Sequence, residues 1–171
     1  MRIHISDDAS MISLIDCSRY VSFAGDDWYA DHRLTNHLVA QCNRQTILSW
    51  GAGFETDWLV EVKQGITDTS GYREFFGHIT CSSGVLYFAN YDSLTMAAQY
   101  RDYLLPDKET SGYRLDLPQG RYRVRVVQTI DPKESWEDTL GENPAFLIEY
   151  ESTDESPSPV SQIPWVEFMG I

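Results

Sequence analysis

Apolar and polar positions alternate in short bursts along most of this chain. RIHIS (2–6) alternates, and ISLID (12–16) and RYVSF (19–23) are short apolar–polar runs. TILSW (46–50) ends at the breaker GAG, and DWLVEVKQ (57–64) is apolar before it alternates. YREFFGHIT (72–80) leads through CSSG into VLYFANY (85–91), a pattern that predicts a hairpin with Gly84 near its turn. YRLDL (113–117) meets PQG and then RYRVRVVQTI (121–130), the strongest strand signal. There Arg121, Arg123 and Arg125 fall on one face and Tyr122, Val124 and Val126 on the other. FLIEYES (146–152) and WVEF (165–168) complete the strands. Helical spacing is rarer. Leu34, Leu38 and Cys42 recur every fourth residue within 26–43, which predicts one amphipathic helix. Residues 92–105 suit either a short helix or a strand.

Roughly nine short strands separated by turn residues, with one or two short helices, predict a mainly all-β fold, an antiparallel β-sandwich. The domain reading is a single sandwich over 1–150. After it, 151–171 is an acidic Pro/Ser linker followed by an apolar C-terminal tail, IPWVEFMGI, that docks on the domain or on a partner. Five Trp, ten Tyr and seven Phe supply large core units among 171 residues. No run of about 18 apolar residues suggests a membrane span, and MRIHISDD has no apolar stretch of the secretory kind, so the expected location is cytoplasmic.

Charge changes the picture more than composition does. The net charge is −13. Residues 1–130 hold 16 acids and 12 bases, whereas 131–171 hold 10 acids and 1 base. Phosphates would be repelled, which disfavours a nucleic-acid partner and favours a basic protein. The acidic run DPKESWEDTLGENPAFLIEYESTDESPSP (131–159) also carries Trp136 and Tyr150, and aromatic side chains within a polar rim are typical interface anchors. The expected partner-binding residues are Asp131, Glu134, Trp136, Glu137, Asp138 and Glu142, with Glu149, Glu151, Asp154 and Glu155 as a second tier. The plainer reading of the run is a solvated loop.

Other candidate chemistry is thin. His32 and His37, with Asp31 beside the first, are five residues apart, a spacing that does not share a helix face. His4 and His78 fall in strand patterns. Cys17, Cys42 and Cys81 are widely separated and odd in number, which predicts buried free thiols rather than a disulfide framework or a zinc site. No nucleotide-binding glycine loop or serine-hydrolase motif is present, so no catalytic residue, metal or cofactor is expected. The arginine face of RYRVR is expected to pair with acids on neighbouring strands.

The order of elements resembles the competence-associated nuclease inhibitors of the ComJ type. The likeness runs over roughly residues 18–130. It rests on Tyr20 and Phe23 in RYVSF, the dipeptide Asp27–Trp28, the strands TILSW and DWLVEV, the GHIT…GVLYFAN pair and the turn in YRLDLPQGRYRVRVV. The resemblance implies an all-β protein that binds and inhibits a nuclease, with no catalytic residues to transfer. The acidic extension after 131 and the extra residues around 92–112 depart from that pattern and suit an immunity protein. The reading is therefore a non-enzymatic inhibitor or immunity protein that occludes a basic, nuclease-type toxin encoded nearby. The alternatives are a carbohydrate- or small-ligand-binding sandwich, with Trp50, Trp58 or Trp165 lining a groove, and a carboxylate- or metal-dependent enzyme.

Overall fold

The computed structural model describes residues 1–30, 32–133 and 142–166. Nine strands and two helices follow one another: β1 (Arg2–Asp7), β2 (Met11–Ile15), α1 (Arg33–Asn43), β3 (Ile47–Gly51), β4 (Thr56–Gln64), β5 (Arg73–Cys81), β6 (Val85–Asn90), α2 (Tyr91–Gln99), β7 (Arg114–Asp116), β8 (Gly120–Gln128) and β9 (Phe146–Ser152). They form a five-stranded sheet, ordered β1-β4-β9-β8-β5, and a four-stranded sheet, ordered β3-β2-β6-β7. The inward-facing residues of both sheets meet in one core. Ile5, Trp58, Val60, Val124, Val126, Phe146 and Ile148 come from the larger sheet, and Ile12, Leu14, Trp50, Leu86 and Phe88 from the smaller. This is the sandwich that the alternation predicts, with one difference. β4 and β9 run parallel: β9 turns back antiparallel to β8, its head Phe146 opposite Gln128, and lies between β8 and β4.

The two helices cover the outside of the smaller sheet. Leu34 and Leu38 of α1, with Tyr20, pack on Met11, Ile15 and Ile47, while Leu94 and Ala98 of α2 join the same cluster. The ambiguous segment after residue 91 is helical because Asn90 caps it. Its side chain accepts from Ser93 N at 3.0 Å.

Three local expectations are corrected. RYVSF is not a strand. The Asp16 side chain accepts from Ser18 N (3.1 Å) and the Asp16 carbonyl from Arg19 N and Tyr20 N, so a turn ends β2 and tucks Tyr20 under α1. The 72–91 region is not a hairpin. Gly84 does hold a turn, at φ 86, but β5 pairs with β8 in the larger sheet while β6 pairs with β2 and β7 in the smaller. The long alternation of β8 claims β5 from Arg73↔Gln128 to Cys81↔Gly120, so the CSSG turn carries the chain between sheets. Trp165 and Val166 are not in a strand, and the rest of WVEF lies outside the described residues.

Residues 153–166 run along one side of the sandwich. Thr153 N donates to Arg121 O, and Asn43 holds Val160 through both its amide groups, at 3.0 and 2.8 Å. Ile163 is buried beside α1, and Gly51 N donates to Pro164 O. Trp165 stacks edge-on against Phe75 with the Arg73 guanidinium 4.4 Å from its ring centre. No helix among the described residues is long and apolar enough to cross a membrane.

Candidate functional site

The β1–β2 turn begins at Asp7, whose carboxylate is almost fully buried. One oxygen accepts from Ala9 N and Met11 N, and the other from Trp58 Nε1 at 3.4 Å. Burial outweighs these donors and pushes its pKa up to about 6. Asp7 is thus the inner brace of a turn that projects the exposed Asp8.

Asp8 has acidic company. Asp92, in the first turn of α2, is raised by burial, then by a hydrogen bond to Asp8 and by the charges of Asp8 and Glu55. Glu55 comes from the β3–β4 loop, which is tied to the first turn by Ala52 N donating to Ser10 O. Glu109 joins through Asn90, whose side chain donates both to Ser6 O and to the Glu109 carboxylate. The Tyr113 hydroxyl donates to Glu109 and has its pKa raised, first by burial and further by the charges of Glu109 and Asp57. Asp8, Glu55, Asp57, Asp92 and Glu109 are all exposed at this one end of the sandwich. Among the described residues, no group of three or more His, Cys, Asp or Glu side chains is arranged to hold a metal.

The entry to the acidic segment joins the same end, and its return lies farther along β1 and β4. Pro132 lies against the β3–β4 loop, so close that a Cβ on Gly53 would stand 2.6 Å from its Cγ. Asp131 accepts from Lys133 N. On the return side, Thr129 N donates to Ala145 O and Thr129 Oγ1 to Pro144 O, while Ala145 N reaches Leu59 O on β4. Glu142 is exposed, and its carbonyl accepts from Arg2. Asp131 and Glu142 therefore flank the pinned base of one loop. Glu134, Trp136, Glu137 and Asp138 lie outside the described residues.

The second tier of acids is elsewhere. Glu149, Glu151 and Asp154 face the arginine ladder of β8 on the outer side of the larger sheet. Glu151 sits 3.6 Å from Arg123, and Asp154 lies 3.8 Å from Arg121. Glu149 is fully buried. It holds Arg125 at 2.8 Å and accepts from Thr67 at 2.5 Å, and Arg125 also pairs with Glu74. The carbonyls of Thr67 and Thr69 close over Arg125. Burial would raise the Glu149 pKa, but the Thr67 and Arg125 contacts win and hold it below the usual carboxylate value. Glu149 is thus an internal strut rather than a surface acid. Glu155 is exposed beyond the ladder.

The remaining candidates resolve into structure. Trp50 and Trp58 are fully buried in the core and line no groove. His37 Nε2 lies 2.7 Å from Val21 O, and His32 occupies a left-handed position, φ 58, before α1. All three cysteines are free, and burial pushes the thiol of Cys17 up to about 12 and that of Cys42 to about 11. Asp8, Glu55, Asp57, Asp92 and Glu109 were not singled out from the sequence. Their only linear signal is an acid in or beside a turn, in DDAS, GFETD, NYDS and DKETSG, and the sheet order is needed to bring those stretches together.

No protein-family model matches this chain, and no curated protein matches it by sequence. Two solved structures share its fold. Crocagin biosynthetic gene J superposes with a TM-score of 0.61 at 15% identity, covering 88% of this chain and 95% of its own. ComJ of Bacillus subtilis, an inhibitor of the DNA-degrading activity of NucA, superposes with a TM-score of 0.51 at 10% identity, covering 90% and 96%.

Proposed function

We propose that this chain is a non-enzymatic inhibitor, of the immunity-protein kind, that binds a basic nuclease-type protein through its acidic end. The observation that carries the reading is the convergence of Asp8, Glu55, Asp57, Asp92 and Glu109 on the end where the acidic segment departs, with Pro132 against the β3–β4 loop. The fold likeness to ComJ supports it, since that protein inhibits a nuclease. Surface carboxylates would stand where nucleic-acid phosphates bind in the partner's cleft, and complementary potentials would steer the encounter. Trp136 supplies an apolar anchor among Glu134, Glu137 and Asp138. Glu151 and Asp154 form a separate, arginine-matched face, with Glu155 beyond it, and contribute less. The contact needs no cofactor or metal and does not involve nucleic acid.

The test uses the purified product of the neighbouring gene, assayed for DNA and RNA cleavage with and without this chain. A stoichiometric loss of cleavage is expected, weakened in a variant carrying Asp8→Asn, Glu55→Gln and Asp92→Asn. Full inhibition by that variant would remove the acidic end from the contact. Cleavage unaffected by the wild-type chain would remove the inhibitor reading for that partner.

A further inference from the structure

We propose that the cleft between β3, β5 and the segment 157–164 is a binding site for a small, uncharged aromatic molecule that carries a hydroxyl group. β5 is an edge strand of the larger sheet and β3 an edge strand of the smaller, and the two edges lie on the same side of the sandwich. They meet where Gly77 leaves room, since a Cβ there would stand 2.3 Å from Leu48 Cδ1. Residues 157–164 form the third wall. Asn43 grips Val160 at 3.0 and 2.8 Å, and Pro164 O accepts from Gly51 N at 2.9 Å. Pro157, Pro159 and Pro164 further restrict that backbone, so the cleft is preformed. Its volume is about 280 Å³. An apolar cavity of about 150 Å³ takes a benzene ring, so this one has room for two fused rings.

The lining selects the ligand. Leu48, Phe75, Phe76, Pro157, Pro159 and Pro164 supply flat or apolar walls. The chain has 13 basic and 26 acidic side chains, yet no Lys, Arg, Asp or Glu is among the described residues that line this cleft. A charged ligand would lose hydration there without gaining a partner, so the ligand is neutral. One buried polar atom of the lining lacks a partner. His78 Nε2 has no hydrogen bond among the described residues, whereas Asn43 is engaged with Val160 and the Ser49 hydroxyl with Ser13 Oγ at 2.7 Å. Burial lowers the His78 pKa, so its ring is neutral at pH 7. A neutral imidazole nitrogen donates or accepts according to the tautomer, and a hydroxyl group can meet either form. The site is independent of the inhibitor reading, because none of Asp8, Glu55, Asp57, Asp92 and Glu109 lines it.

Titration of the full chain with 2-naphthol, followed through its amide NMR spectrum, decides it. Saturable shifts are expected at Leu48, Gly77, His78 and Val160, with a dissociation constant below about 1 mM. His78→Phe keeps a ring on the strand and removes the nitrogen. It should weaken binding about fivefold, the worth of one neutral hydrogen bond. The variant's own spectrum reports whether it folds, and if it does not, the wild-type shifts decide alone. No saturable shift up to about 2 mM naphthol, or shifts confined to residues away from the cleft, would overturn the proposal. So would a folded His78→Phe variant that binds as tightly as the wild type.

Discussion

Arg125 and Glu149 meet in the outer layer of the larger sheet with both side chains buried, sealed by the Thr67 and Thr69 carbonyls. Removing one member strands the other, and a lone buried charge costs far more than the pair gains. Arg125→Met should therefore lower the unfolding free energy in urea by about 3–5 kcal/mol, and the double variant Arg125→Met/Glu149→Leu should recover most of that loss. A single variant within about 1 kcal/mol of wild type would show that the pair is solvated in solution. Asp7 acts in the opposite sense. Its folded pKa of about 6 lies above its ordinary 3.8, so the folded state prefers the protonated acid. Its contribution is fully favourable below about pH 4 and is lost as the pH rises through 6, a change of about 3 kcal/mol. Asp7→Asn keeps an acceptor for Ala9 and Met11, so its stability should be flatter than the wild type's between pH 4 and 7 in urea titrations. Parallel profiles for the two proteins would contradict the raised value.

Elements show where linear pattern suffices and where it fails. The alternation in 121–130 locates β8 and its two faces, and Leu34 and Leu38 locate the buried stripe of α1, because each signal lies within one element. The pairing of β5 was not legible. CSSG can close a hairpin or cross between sheets, and the choice depends on β8, some forty residues downstream. The acidic end was half legible for the same reason. Asp131 and Glu142 stand out as part of a charge run, but Asp8, Glu55, Asp57, Asp92 and Glu109 converge only through sheet order. Glu149 reads as one more acid in that run until register sets it opposite Arg125. The segment after β9 offers an element-scale test. A Cβ on Gly51 would stand 2.1 Å from Trp165 O and 2.5 Å from its carbonyl carbon, backbone atoms that cannot yield by a rotamer change. Gly51→Ala should displace residues 163–166, cost about 1–3 kcal/mol, and speed proteolytic cleavage near Trp165. Unchanged cleavage would mean that the segment is not held there.

The whole molecule is unevenly charged, and acids carried by both sheets and by α2 meet at one end of it. Steering by the acidic end acts on the rate of encounter, and exposed charges lose reach as the screening length shrinks from about 10 Å at 0.1 M salt to about 3 Å at 1 M. The most direct measurement is the association rate with the neighbouring gene's product at low and high salt, for the wild type and for Asp8→Asn/Glu55→Gln/Asp92→Asn. The wild-type rate should fall at least about tenfold across that range, and the neutralised variant should start slower and depend less on salt. Equal rates and equal salt dependence for the two proteins would contradict an acidic end that recognises a basic partner.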